Sequence, residues 1–241
     1  MIFVTGDTHG DRNRFRSKDI RKISSGDTLI VCGDFGYIFS RGEQEEKYLD
    51  FLATLPFCLL FVDGNHECFD RLESYPMEMW HGGKVHVIRR DGSSKPKIIH
   101  LMRGQIFEIE GKKIFTFGGA YSIDKNIRIP GYSWWEQEMP SDGEMKEAIR
   151  NLEKNDYAVD YIITHVAPED TMSIFHPFHE EEKRLNNSLE WIRENTRYKH
   201  WFFGHLHRDE DLWRKQTVLW FEIRNIETNQ AINSGKNEEE W

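Results

Sequence analysis

Ligand-type side chains recur in this sequence at one kind of place, just past the end of a short apolar run. Ile2-Phe3-Val4-Thr5-Gly6 leads to Asp7 and His9, and the run from Thr28 to Val31 leads through Cys32-Gly33 to Asp34. Cys58 to Val62 leads to Gly64-Asn65-His66-Glu67, Tyr161-Ile162-Ile163-Thr164 leads to His165, and His200 to Phe203 leads to Gly204-His205-Leu206-His207. Short apolar runs closed by glycine or a polar turn read as buried strands. Strand ends that each carry a hard or borderline metal ligand point to one site at one edge of a sheet.

Asp7, His9, Asp34, Asn65, His165, His205 and His207 offer carboxylate, carboxamide and imidazole donors without a thiolate. That set suits Mn, Fe or Zn rather than a structural cysteine-type zinc site. It is also larger than one ion takes. If one carboxylate bridges, two divalent ions about 3.5–4 Å apart each keep positions for water and substrate. A hydroxide held between them is nucleophilic at neutral pH, because metal binding lowers the pKa of water, and such a pair suits in-line attack on phosphorus. Asn65 has a second reading as a turn cap. His81, His86, His100, His176, His179 and His200 are expected as ordinary surface or core residues.

The elements that must position these groups follow a strand–helix alternation in the first third. Residues 13 to 23 are expected as a short, weakly amphipathic helix on Phe15, Ile20 and Ile23. Glu43 to Leu55 forms a better one, with a Tyr48, Leu49, Leu52 and Leu55 stripe stopped by Pro56. Alternation of this kind implies a parallel core with crossovers. From residue 84 to 119 the strands shorten. Gln105 to Glu110 and Lys112 to Phe117 read as a hairpin, with a largely antiparallel second half of sheet expected. An irregular segment then runs to Pro140 and contains Tyr121, Arg128, Trp134 and Trp135. Ser141-Asp142-Gly143-Glu144 is a capping box for a helix with Met145, Ala148, Ile149 and Leu152 on its buried face. A strand from Ala158 to Thr164, a loop over 169 to 183, a helix over about 187 to 195 and a last strand from Thr217 to Ile223 complete the reading.

One domain over residues 1–224 is expected, with 225–241 a polar, frayed tail. With 38% hydrophobic and 30% charged residues and no apolar run near the roughly 20 residues of a membrane helix, the composition is that of a soluble globular protein. The chain opens directly on a strand, which sets the expectation of a cytoplasmic protein. Three cysteines, an odd number, are expected as reduced thiols. The net charge of -9 argues against an obligate nucleic-acid binder, although residues 12 to 22 and 84 to 113 are locally basic.

The motifs GDTHG, GDFG, GNHE, THVAP and GHLH, in this order, resemble the calcineurin-like metallophosphoesterase superfamily, in particular its bacterial and phage members. The resemblance spans residues 6 to 207. It implies an α/β fold, the four-layer α/β/β/α sandwich of two mixed β-sheets. By the same resemblance Asp7, His9 and His207 would hold one metal, Asn65, His165 and His205 a second, and Asp34 would bridge. Two divalent ions are implied, Mn first, with Fe, Zn or Ni as alternatives. His66 would sit beside the substrate as general acid or as a stabiliser of the phosphoryl oxygens.

Two of the motifs depart from those of the phosphoprotein phosphatases of that superfamily. Their GDxxDRG motif has Asp and Arg where this chain has Tyr37 and Ile38, and an Arg precedes their GNHE where this chain has Asp63. Both phosphate-clamping guanidiniums are therefore absent, which favours a phosphodiester or nucleotide-type substrate over a dianionic monoester. Arg12 or Arg14, and Arg128, are candidate replacements. Tyr121, Trp134 and Trp135 are candidates for stacking on a base or another planar leaving group. The alternatives are a phosphomonoesterase, including a Ser/Thr protein phosphatase, a nuclease, and a non-catalytic metal-binding scaffold.

Overall fold

The computed structural model describes residues 1–90, 97–175 and 180–232. Strands β1 (Ile2–Thr5), β2 (Thr28–Cys32) and β3 (Cys58–Val62) lie parallel and in register, Ile2 opposite Thr28 and Thr28 opposite Cys58. β6 (Ile98–Leu101) joins parallel to β3, and β5 (Gly83–Ile88) and β4 (Met77–Trp80) extend that side antiparallel. β13 (Arg224–Asn225) closes the other edge antiparallel to β1. The second sheet has the same plan. β8 (Lys112–Phe117), β9 (Tyr161–Thr164), β10 (His200–Phe203) and β12 (Gln216–Val218) run parallel, with β7 (Gln105–Ile109) and β11 (Glu210–Leu212) antiparallel at its edges.

Alternate residues of each strand face opposite layers. Ile2, Val4, Ile30, Leu60 and Val62 of the first sheet pack between the sheets with Phe107, Ile109, Ile163 and Phe202 of the second. Phe3, Leu29, Val31 and Phe61 face outward to α1 (Glu43–Ala53), whose Tyr48, Leu49 and Leu52 complete that layer, and to α2 (Phe69–Leu72). Burying side chains such as Leu49 and Leu52 stabilises the layer by about 1.5–3 kcal/mol each. Phe115, Ile162, Trp201 and Phe203 face the other way, onto α3 (Asp142–Lys154), α4 (Glu169–Phe175) and α5 (Glu180–Asn195), through Ala148, Leu152, Met172, Leu185, Leu189 and Ile192. The result is the four-layer α/β/β/α sandwich of two mixed sheets.

Several elements differ from the sequence expectation. Residues 13 to 23 form two 3-10 turns, Arg14–Arg16 and Asp19–Lys22, instead of one helix. Phe15 and Ile20 are five residues apart, about 140° around an α-helix, so no single face could bury both. The span 169–183 is largely helical: α4 starts with its Thr171 and Met172 amides bonded to the Pro168 carbonyl, and the acidic run at Glu180 suits the amino end of α5. His176 and His179 lie outside the described residues. The second sheet is parallel at its centre, and antiparallel pairing is confined to edges.

The expected strand from Thr217 to Ile223 ends at Val218, because the Asp209 carboxylate accepts from the Trp220, Phe221 and Glu222 amides at 2.7–3.0 Å and turns the chain out of the sheet. Ile149 is exposed rather than on the buried face of α3. The chain does not fray at residue 225. Asn225 pairs with Phe3 and Ile226 is buried, while 233–241 lie outside the described residues. Among the described residues no helix is long and apolar enough to cross a membrane.

Candidate metal centre

The loops after the parallel strands are stitched to one another by backbone bonds. The Asp34 carbonyl accepts from the Thr8 amide at 3.1 Å and the His9 amide at 2.8 Å, and the Thr8 hydroxyl donates to the Phe35 carbonyl at 2.8 Å. The two sheets are joined here as well, since the Asp7 carboxylate accepts from the His205 amide at 2.9 Å. Two glycines make room. A Cβ on Gly33 would lie 2.1 Å from His165 Nδ1, and one on Gly64 would lie 2.1 Å from Asp34 Oδ1. His9, Asp34, His205 and His207 all have positive φ, between 46° and 67°. Non-glycine residues in that region cost of order 1–3 kcal/mol each, and their gathering at one point marks a place where the fold enforces side-chain direction.

The side chains so directed fall into two groups around Asp34. Ligand atoms of Asp7, His9, Asp34 and His207 lie within 4.8 Å of one another, with His9 Nε2 2.8 Å from His207 Nε2 and 3.7 Å from Asp34 Oδ2. On the other side, His165 Nε2 is 3.4 Å from Asp34 Oδ1 and 3.3 Å from Asn65 Oδ1, and His205 Nδ1 approaches it to 3.3 Å. His165 Nδ1 donates to the Cys32 carbonyl at 2.9 Å, which turns the Nε2 lone pair inward. All seven residues expected as ligands are thus brought together.

Electrostatics favours a cation at this point. Burial lifts the Asp7 carboxyl to about 7, with the Asp34 charge adding to the effect and His165 opposing it. Burial acts on Asp34 in the same sense, but His165, His66, His9 and His205 hold it at about 2. Burial also lowers the pKa of His9 and His207, favouring neutral, ligating imidazoles. Burial of two carboxylates this close together, which lifts Asp7, is relieved by divalent cations, and the oxygen and imidazole donors fit such ions.

Above the ligands lies a cavity of about 340 Å³, with Asp34, Asn65, His66, His205 and His207 on its floor and Tyr121, Ile123, Asp124, Arg128, Met172 and Glu182 among its walls. An Arg128 guanidinium nitrogen (Nη2) is 3.1 Å from His66 Nε2, and Arg128 Nε is paired with Asp124 at 2.7 Å. Burial lowers the His66 pKa, and Arg128 adds to that. Of the other candidates, Arg12 is exposed and donates to Gln44 at 2.5 Å in a separate groove beside His9. Arg14 is buried on Thr5 and the Trp220 carbonyl. Trp135 is core, 4% exposed and edge-on to Phe39, and the face of Trp134 is covered by the Lys125 ammonium at 4.3 Å. Neither tryptophan lines the cavity, and of the three stacking candidates Tyr121 alone does.

Other polar groups at the site carry little sequence signal. Glu182 reaches within 4.0 Å of His205 Nε2 and accepts from the Tyr121 amide, yet in sequence it sits in an acidic run that reads as a solvated face. Glu138 is buried, and its Oε2 accepts from the Ser122 hydroxyl at 2.5 Å. Burial lifts Glu138 to about 7 against that bond. Asp63 accepts from Arg103 Nε at 2.9 Å and from one of its terminal nitrogens (Nη2) at 2.5 Å, and pairs with His100 at 3.0 Å.

An α/β sandwich whose strand ends gather two carboxylates, an amide and four imidazoles has the donor set of a metal-binding protein. The family profile of the calcineurin-like phosphoesterases matches residues 1–209, and the chain belongs to that family. No curated protein matches it. As a family member it is a metal-dependent phosphoesterase, a hydrolase of phosphate esters that uses divalent ions.

Proposed function

We propose that this protein hydrolyses a phosphodiester or nucleotide-type ester using two divalent ions. Asp7, His9 and His207 would hold one, Asn65, His165 and His205 the other, and Asp34 would bridge them. The oxygen and imidazole donors favour Mn, with Fe, Zn or Ni as alternatives. When bound, the ions supply an activated water and neutralise charge on the phosphoryl oxygens.

The observation that carries the diester reading is the charge lining the cavity. Arg128 is the one guanidinium among its described lining residues, and Asp124 and Glu182 share the wall. A dianionic monoester is usually gripped by more than one bidentate guanidinium. Asp63 turns inward to Arg103 and offers the substrate nothing. Carboxylates beside a single arginine repel a second negative charge, whereas a diester presents only one.

Arg128 would meet a phosphoryl oxygen. His66 lies next to it; with Arg128 donating to Nε2, a neutral ring, which burial favours, carries its hydrogen on Nδ1, and that N–H would donate to the phosphoryl or leaving oxygen. Tyr121 would face the leaving group. The nuclease alternative loses support from the basic segment 84–113, where Lys84, Arg89, Arg90 and Arg103 are each paired with a carboxylate.

The test is a comparison of bis(p-nitrophenyl) phosphate with p-nitrophenyl phosphate in the presence of Mn²⁺. The diester should have the higher kcat/KM by at least about tenfold, a 1.4 kcal/mol preference. A preference for the monoester would reverse the assignment.

A further inference from the structure

We propose that Ser122 and Glu138 are positioning residues that fix which face of the Asn65 carboxamide is turned to the metal centre. The inference rests on the reading of Asn65 as a ligand. A carboxamide has one ligating end and one that cannot ligate, and nothing in its shape selects between them. Here the selection is made on the side away from the metals. Asn65 Oδ1 faces His165 Nε2 at 3.3 Å, and Asn65 Nδ2 donates to Ser122 Oγ at 3.2 Å. The Ser122 hydroxyl in turn donates to Glu138 Oε2 at 2.5 Å.

The polarity of this chain follows from its last member. When ionised, as at alkaline pH, the Glu138 carboxylate only accepts, so it takes the single hydroxyl hydrogen of Ser122 and leaves a lone pair facing Asn65. That lone pair is matched by the amide N–H and by no other orientation. Turning the carboxamide over would set Oδ1 against Oγ and point the NH₂ group at the metal. Both Ser122 and Glu138 are 1% exposed, so water does not compete for the bond.

Glu138 is itself held firmly. Its Oε1 accepts from the Trp135 amide at 3.4 Å and lies 3.8 Å from Arg128, and its backbone carbonyl accepts from the Ala120 amide at 3.1 Å and from Arg103 at 3.3 Å. One buried carboxylate thereby ties the 118–140 segment to the ligand.

Mn²⁺ titration of the chelator-treated full chain at pH 8, by calorimetry, tests this. Ser122→Ala should lower Mn²⁺ affinity about 10–100-fold, the usual effect of losing a group that orients a ligand. In an Asn65→Asp background the same substitution should cost less than about threefold, because a carboxylate presents oxygen at either end. Wild-type affinity in Ser122→Ala, or an equal loss in both backgrounds, would overturn the positioning role. Asn65→Ala separates the two readings. If it binds Mn²⁺ like the wild type, the ligand assignment fails and the proposal with it; if it binds weakly while Ser122→Ala binds normally, the positioning role alone fails.

Discussion

At the scale of single residues, Asp34 is the point where the two ligand groups meet. Its Oδ2 faces His9, its Oδ1 faces His165, and Oδ1 also accepts from the His66 amide at 2.9 Å. A role in holding metal and a role in handling substrate therefore separate by mutation. Asp34→Asn should lower kcat/KM more than about 10³-fold and weaken Mn²⁺ uptake together, since the charge between the groups is lost. His66→Gln should leave Mn²⁺ content unchanged and lower kcat about 10²–10⁴-fold. Metal content by elemental analysis beside turnover of the bis-aryl ester distinguishes them, and loss of metal in His66→Gln would make His66 a structural part of the centre. The seven ligand-type residues were legible in the sequence because each sits in a local frame, a strand end beside a glycine or a tight turn, that dictates where its side chain points. Ser122, Glu138 and Glu182 were not, because their roles arise from the meeting of loops distant in sequence. Arg14 and Trp135 show the converse. Arg14 was a candidate for its nearness to the GDTHG loop and Trp135 as a planar ring of the irregular segment, but both point into the protein, where a guanidinium fills its bonds on Thr5 and an indole completes a core.

At the scale of elements, the 118–140 segment is the part of the site that the sequence described least, as an irregular loop of unassigned role. The structure shows what fixes it. Arg103, just past β6, donates to the Asp63 carboxylate at the end of β3 and to the Gln137 carbonyl at 2.7 Å, while the Gly119 amide donates to the Asp63 carbonyl at 3.0 Å. Position 63 thus anchors the segment that presents Arg128 to the cavity. Regular elements were easier to read: the β7–β8 hairpin and the Ser141–Glu144 capping box formed as their turn and cap residues dictate. Burial alone would raise the Asp63 carboxyl, but Arg103 and His100 hold it well below the usual carboxylate range. Asp63→Asn leaves a buried guanidinium without its counter-charge and should cost about 3–5 kcal/mol at pH 7, measured by urea unfolding. A group with a depressed folded pKa contributes fully above its unfolded value, near 3.9, and loses that contribution as pH falls through the folded value. The gap between wild type and variant should therefore be constant from about pH 5 to 7 and narrow below pH 4. A gap that persists unchanged into acid would assign the cost to packing instead of charge.

At the scale of the whole molecule, the candidate centre is the seam between the two sheets. Asp7, Asp34 and Asn65 come from the ends of β1, β2 and β3, whereas His165 and His205 come from the ends of β9 and β10, and the bonds from His165 to the Cys32 carbonyl and from the His205 amide to Asp7 cross between them. Ions bound here would hold the two halves of the sandwich together as well as serve the reaction, and ligand binding to the native state adds to stability by mass action. An ion at about a hundredfold its Kd contributes about 2.7 kcal/mol. For a chain of this size each kcal/mol moves Tm by roughly 2–4 °C. Removing divalent ions with a chelator should therefore lower Tm by about 5–10 °C per strongly bound ion, and re-adding Mn²⁺ in excess should restore it. The same chelation should leave the Tm of Asp34→Asn nearly unmoved, because that variant starts with its uptake already weakened. Equal shifts in the two proteins would place the stabilising ion somewhere other than this seam.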